Sequence, residues 1–235
     1  MSYLNWIEDE DFEEQVKNLI KAFDSGKERA LKDMGRNVMD PVLAFFNSGL
    51  LGGGVEEWEK RELSRQLDKT LSNAIGLFHQ GILSKVYGWS CPPRERANFD
   101  LLNSKLKVIA EIKNKHNTVK ASDKVGYYDD FKAQLDNKTS LYKGYTAYLV
   151  QIIPKHVGIF PFAPSDNKTG MRRAEHPFIK EIDGKSFYQL ATGVNSALED
   201  MIKALPAVFY TVTDHQIPLK MIDRVSQLFA DAYHQ

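Results

Sequence analysis

Residues 97–118, ANFDLLNSKLKVIAEIKNKHNT, decide the fold. Within them 105–113 alternates strictly, with Leu106, Val108, Ala110 and Ile112 on one face. Lys105, Lys107, Ile109, Glu111 and Lys113 take the other. A period of two predicts a strand. Residues 97–102 predict a second strand, so the stretch reads as an antiparallel hairpin. Glu111 and Lys113 then share a face, about 7 Å apart along the strand. Asp100 joins them only where its cross-strand partner is odd-numbered. A two-residue turn at Asn103-Ser104 would set Asp100 opposite Lys107, about 13 Å along the strand from Glu111 and too far to share one metal ion. A longer turn or a bulge, pairing Asp100 near Ile109 or Glu111, would bring the carboxylates together. The competing reading is an exposed Glu-Ile-Lys on a strand edge.

On either side the period changes to that of helices. Residues 9–23 put Phe12, Val16, Leu19, Ile20 and Phe23 on one stripe, behind an acidic first turn that suits the helix dipole. A second helical stretch covers 27–46, interrupted at Asp40 by the proline that follows. GLLGGG at 49–54 is the clearest breaker. Residues 56–87 predict one long helix, with Leu63, Leu67, Leu71, Ala74, Phe78 and Ile82 at three- and four-residue spacing. Beyond the hairpin, CPPRER (91–96) being the loop before it, a helix is expected at 123–142, a strong strand at 144–154 and a short strand at 158–162. A loop at 163–176 and helices near 186–205 and 219–233 complete the chain. The expected fold is α/β, a mixed β-sheet flanked by helices with helical N- and C-terminal additions. The expected division is a helical region over 1–54 packed on or beside a catalytic core over 55–235, compact as one domain overall.

Composition narrows the class. The 235 residues are 43% hydrophobic and 26% charged, which excludes a disordered chain. Apolar runs such as 148–154 fall far short of the roughly 18 residues that span a bilayer, so no membrane association is expected. The acidic start, MSYLNWIEDEDFEE, lacks the basic and apolar stretches of a signal peptide, and a single cysteine, Cys91, fits a reducing cytoplasm. Formal net charge is zero, yet residues 101–180 carry +7 while 1–66 carry −5 and 181–235 carry −3. A local positive field is what phosphate binding needs, whatever the total.

No Walker-type loop, GxGxxG, zinc-ligand spacing or serine-hydrolase elbow occurs, so no nucleotide cofactor is expected. What remains is Asp100 with Glu111 and Lys113. Two carboxylates supply hard oxygen ligands to a magnesium ion, which tolerates a substrate phosphate as a further ligand. The lysine would orient or deprotonate an attacking water and stabilise developing charge. Beside them Asn114, Lys115, His116 and Asn117 are donors suited to phosphates or base edges. On the long helix Glu62, Gln66, Lys69, Asn73, Gly76 and Gln80 fall on one face, rich in uncharged amides that suit close approach to nucleic acid or another chain. Lys168, Arg172 and Arg173 could reach guanine edges from the 163–176 loop.

These residues resemble the PD-(D/E)XK nuclease superfamily and, within it, type II restriction endonucleases of the SinI and AsuI type. The resemblance runs through RQLDKTLSNAIGLFHQ (65–80), FDLL, IAEIKNKHNT, TAYLVQIIP (146–154), FAPSD (162–166) and IDGKSFYQLATG (182–193). It implies magnesium-dependent cleavage of double-stranded DNA at a short GC-rich palindrome, GGNCC or GGWCC, within a restriction-modification system. It places the metal-binding acids on Asp100 and Glu111 and the lysine on Lys113. Phe99 stands where the motif carries its leading proline. Relatives that place a supporting glutamate on the preceding helix point to Glu62, with Glu59 second. A palindromic target implies a homodimer. A structure-specific or repair nuclease of the same fold, and a DNA-binding module without catalysis, are the alternatives. The intact acid-acid-lysine set speaks against the second.

Overall fold

The computed structural model describes residues 2–33, 40–93, 98–166 and 168–233. The chain forms two compact units, one of residues 1–16 with 79–235 and the other of residues 17–78.

The larger unit holds the sheet. Its strands are β1 (Leu101–Asn103), β2 (Val108–Lys115), β3 (Thr146–Ile153), β4 (Ile159–Pro161) and β5 (Ile179–Asp183), in the order β1-β2-β3-β5-β4. β2, β3 and β5 run parallel, and β1 and β4 are antiparallel to their neighbours. Helices cover both faces. On one, Ile109, Ala147, Leu149 and Ile179 pack with Phe99, Phe162 and Tyr128, Phe131 and Leu135 of α4 (Ala121–Asp136). On the other, Tyr148 and Trp89 meet the Phe187 ring of α5 (Gly184–Thr192) edge-on at 6.2 and 5.3 Å. This is the expected mixed sheet flanked by helices. Because both faces are covered, β2 is buried on both sides from Val108 to Ile112 rather than alternating between core and solvent. Lys105 and Lys107 lie before the strand, in the turn, where Lys107 adopts a left-handed φ of 53°.

Several expected elements change length. The 97–102 strand is confined to Leu101–Asn103, and residues 94–97, which include part of CPPRER, lie outside the described residues. α4 ends at Asp136 rather than 142, because Asn137 and Ser140 turn their side chains onto nearby backbone amides. The expected region near 186–205 is two helices, α5 and α6 (Ala197–Thr213), parted by Gly193 at φ 77°. α7 (Leu219–Tyr233) closes the chain. β5 was not expected. It is five residues long and runs directly into α5, whose N-cap, Asp183, is the last residue of the strand.

The smaller unit is helical. α1 (Asp9–Asp33) enters it from the larger unit, α2 (Pro41–Leu51) lies within it, and α3 (Val55–Lys85) leaves it. The break expected at Asp40 is the N-cap of α2, where the carboxylate accepts from the Val42 and Leu43 amides. Residues 34–39 of the expected second helix lie outside the described residues. α1 and α3 approach closely at Gly26, where an added Cβ would meet Thr70 Cγ2 at 2.2 Å. In the larger unit their other ends are joined by Lys85, whose Nζ lies 2.8 Å from Asp11 and 2.9 Å from Glu14.

Candidate active site

The hairpin register decides whether the acids meet. Leu101 pairs with Ala110, Leu102 with Ile109 and Asn103 with Val108. The four residues 104–107 make the turn, helped by Asn103 Oδ1 accepting from the Leu106 amide. This is the longer-turn alternative. One residue beyond Leu101, Asp100 therefore stands opposite Glu111. Its amide donates to Ala110 O at 2.9 Å, and its Oδ2 accepts from the Ile112 amide at 2.8 Å. The Asp100 carboxylate lies close enough to Glu111 to act on its carboxyl.

Lys113 completes the group. Its Nζ lies 2.7 Å from Glu111 Oε1 and 4.6 Å from the centroid of the Tyr127 ring on α4. Glu111 is 8% exposed. Burial, and then the Asp100 carboxylate, push its carboxyl up to about 7, against the opposing pull of the Lys113 ammonium. For Lys113, burial disfavours the charged form, but Glu111 and Tyr127 outweigh it and raise its pKa. The three groups lie toward the C-terminal ends of parallel strands, where open α/β sheets place their sites.

Two contributors were missed in the sequence. Tyr127 gave no signal apart from its place on a helix. Gln151 on β3 pairs with Lys113 in register, so the two side chains leave the sheet on the same face. It is 1% exposed, and its Oε1 has no hydrogen-bond partner among the described residues. A glutamine inside the apolar run TAYLVQIIP was the available signal.

The remaining candidates are distributed as follows. Asn114 and Lys115 end β2, and His116 and Asn117 form the 3₁₀ turn after it. In the 163–176 loop Lys168 is exposed, and Arg172 keeps an exposed head while its Nε donates to Ala163 O. Arg173 is held by Asp129 at 2.8 Å and Asp166 at 3.3 Å. Gln80 lies on the part of α3 that belongs to the larger unit. Glu62, Gln66 and Asn73 lie in the smaller unit, on the wall of an open cavity of about 630 Å³ shared with Arg29, Arg65 and Lys69. Both Glu62 oxygens accept from the Arg65 guanidinium, at 2.7 and 2.8 Å, and Gln66 adds a bond at 3.0 Å. The Arg65 fork holds the Glu62 carboxyl down at about 2, against a smaller opposing effect of burial. Glu59 is half-buried on the same helix.

The donor set suits a hard divalent cation. Two facing carboxyls, one of them driven toward its protonated form by burial and then by the other, are a site that a cation would neutralise. Among the described residues no group of three or more His, Cys, Asp or Glu side chains forms a fuller cage. Magnesium typically uses one or two carboxylates and completes its shell with water and substrate phosphate.

Comparisons with known proteins identify the family. Residues 4–214 match the Eco47II restriction endonuclease family. The chain is 39% identical over 220 residues to the type II restriction enzyme Eco47II of Escherichia coli, covering 91% of this chain and 90% of that protein. It is 27% identical over 241 aligned residues to the type II restriction enzyme Sau96I of Staphylococcus aureus, covering 99% of this chain and 89% of that one. With a family match across most of its length and an acid-acid-lysine group on the expected hairpin, the chain belongs to the Eco47II restriction endonuclease family.

Proposed function

We propose that this type II restriction endonuclease hydrolyses double-stranded DNA with magnesium at a GC-rich palindrome of the GGNCC or GGWCC kind. It would do so as a homodimer, in the cytoplasm of a cell that carries the matching modification activity. The observation that carries the chemistry is the hairpin register that sets Asp100 against Glu111 with Lys113 at 2.7 Å. The target sequence rests on the sequence resemblance.

Asp100 and Glu111 would hold the cation, Glu111 as its deprotonated carboxylate. A divalent ion held there would supply neutralisation of charge on the scissile phosphate and a more acidic water. Lys113, charged and steadied by the Tyr127 ring, donates hydrogen bonds to the incoming water and to a phosphate oxygen. The water gives up a proton to solvent as its oxygen bonds to phosphorus and one P–O ester bond breaks, and the leaving oxygen takes up a proton from solvent. Gln151, directly beside Lys113, offers its Oε1 as an acceptor that helps orient the water. The +7 segment supplies the attraction for phosphates, and Asn114, Lys115, His116 and Asn117 extend it past the strand end. In the smaller unit, Arg29, Arg65 and Lys69 make the cavity beside Gln66 and Asn73 a second basic surface for the backbone. Arg172 is the best placed base reader of the loop, since Arg173 is spent on two aspartates. Glu62, paired with Arg65, would assist only by exchanging that partner for a cation.

Plasmid DNA digested with magnesium and sequenced at its ends tests this reading. Discrete ends at one palindrome are expected. Preference for nicked, branched or single-stranded DNA would point instead to a structure-specific nuclease.

A further inference from the structure

α2 is an uncharged, largely apolar helix, with Asn47 and Ser48 its only polar side chains. Its eleven residues, PVLAFFNSGLL, carry no charge, and none is buried. Val42, Leu43, Phe45, Phe46, Leu50 and Leu51 are all exposed, Phe45 to 74% and Leu50 to 80%, and Val55 of α3 extends the patch. A helix with so much exposed apolar surface and no charge belongs inside a core or against a partner. Eleven residues are too few to cross a bilayer, which takes about 20. A helix lying on a membrane surface needs a charged, basic face, which α2 lacks.

The size of the patch says what kind of partner it suits. Allowing ~150–250 Å² for each phenylalanine and somewhat less for each valine and leucine, these seven leave on the order of 800 Å² of apolar surface open. The largest patch on an ordinary monomer is roughly 300–600 Å². A stable interface of standard size takes about 800 Å² from each partner.

We propose that α2 is the dimerisation helix, packing against α2 of a second copy of this chain about a twofold axis. An isologous interface presents the same patch twice. A patch without charge meets its own copy with no repulsion, and homodimer interfaces are the more apolar class. The charges lie at its ends, Asp40 capping α2 and Glu56 and Glu57 opening α3, where they form a polar rim. Gly49 has nothing within 4 Å of the position of an added Cβ, so this side of the helix is open to close approach. The choice of a second copy also rests on the proposed palindromic target, which needs two active sites related by twofold symmetry.

The test is sedimentation velocity on the full chain without DNA, which keeps this inference separate from cleavage. The wild type should sediment across micromolar concentrations at twice its 26.8 kDa. The double variant Phe45→Glu, Leu50→Glu should shift to monomer, its dimer affinity weakened by at least about a hundredfold, with an unchanged helical circular dichroism spectrum. In a Cys91→Ser background, Leu50→Cys should form a disulfide-linked dimer on mild oxidation, while Tyr87→Cys, exposed in the other unit, should not. A monomeric wild type, or a double variant that stays dimeric, would overturn the proposal. So would α2-dependent binding of the wild type to neutral or anionic lipid vesicles in place of self-association. A dimer that cuts no DNA would leave this inference standing and sink the proposed function.

Discussion

The Ile112 amide donates to Asp100 Oδ2 at 2.8 Å, and this bond holds the Asp100 carboxylate in front of Glu111. Two acids are thereby fixed face to face across a hairpin, and without a cation only one ionises easily. Asp100→Asn keeps an oxygen that can accept from Ile112 but removes the charge. Titration of Glu111 by infrared or NMR should then move down toward the ordinary carboxylate range. Calorimetry should show magnesium and manganese binding weakened at least tenfold, about 1.4 kcal/mol. Unchanged metal affinity would mean that Asp100 is not a ligand.

The same pair predicts a pH dependence of stability. Burial and Asp100 raise Glu111 from 4.5 to about 7, so between these values the folded, metal-free protein keeps a proton that the unfolded chain has lost. Stability therefore falls as pH rises through this window, by on the order of 3 kcal/mol. Urea unfolding in chelator at pH 5 and pH 7.5 measures the drop. Glu111→Gln should lose that part of the slope, and parallel profiles for the two proteins would contradict the assignment.

Lys113 lies 4.6 Å from the Tyr127 ring centroid, a contact worth about 1–2 kcal/mol when partly desolvated. Tyr127→Leu should slow single-turnover cleavage roughly tenfold. Tyr127→Phe, which keeps the ring and loses the hydroxyl, should stay within about threefold. Equal losses in the two would give the role to the hydroxyl.

Among the described residues the buried Gln151 Oε1 has no partner, an arrangement that costs stability and is retained where function uses it. Gln151→Leu should leave the melting temperature unchanged or raise it, while cleavage falls at least tenfold. A destabilised variant with full activity would make the glutamine structural.

How far the site was legible depended on what each residue's neighbours contribute. Glu111 and Lys113 were readable because strand alternation fixes their shared face within one element. Asp100 was readable only as a condition, because its partner depends on turn length, and four turn residues with Lys107 at positive φ cannot be read from alternation. Gln151 and Tyr127 were invisible because they reach the site through parallel pairing and helix packing, which bring together residues far apart in sequence. β5 escaped because five residues running into a helix cap show too little period. The mixed sheet itself followed from the hairpin, the strand at 144–154 and the helices between them.

The most direct test of the central claim compares single-turnover digestion of plasmid DNA, with magnesium and sequenced ends, by the wild type, Glu111→Ala and Lys113→Ala. The wild type should give discrete fragments ending at one GC-rich palindrome. Each variant should lose roughly 100-fold or more, with DNA binding retained in gel shift. Variants that cut like the wild type, or a wild type that cuts with no divalent metal ion, would contradict the claim.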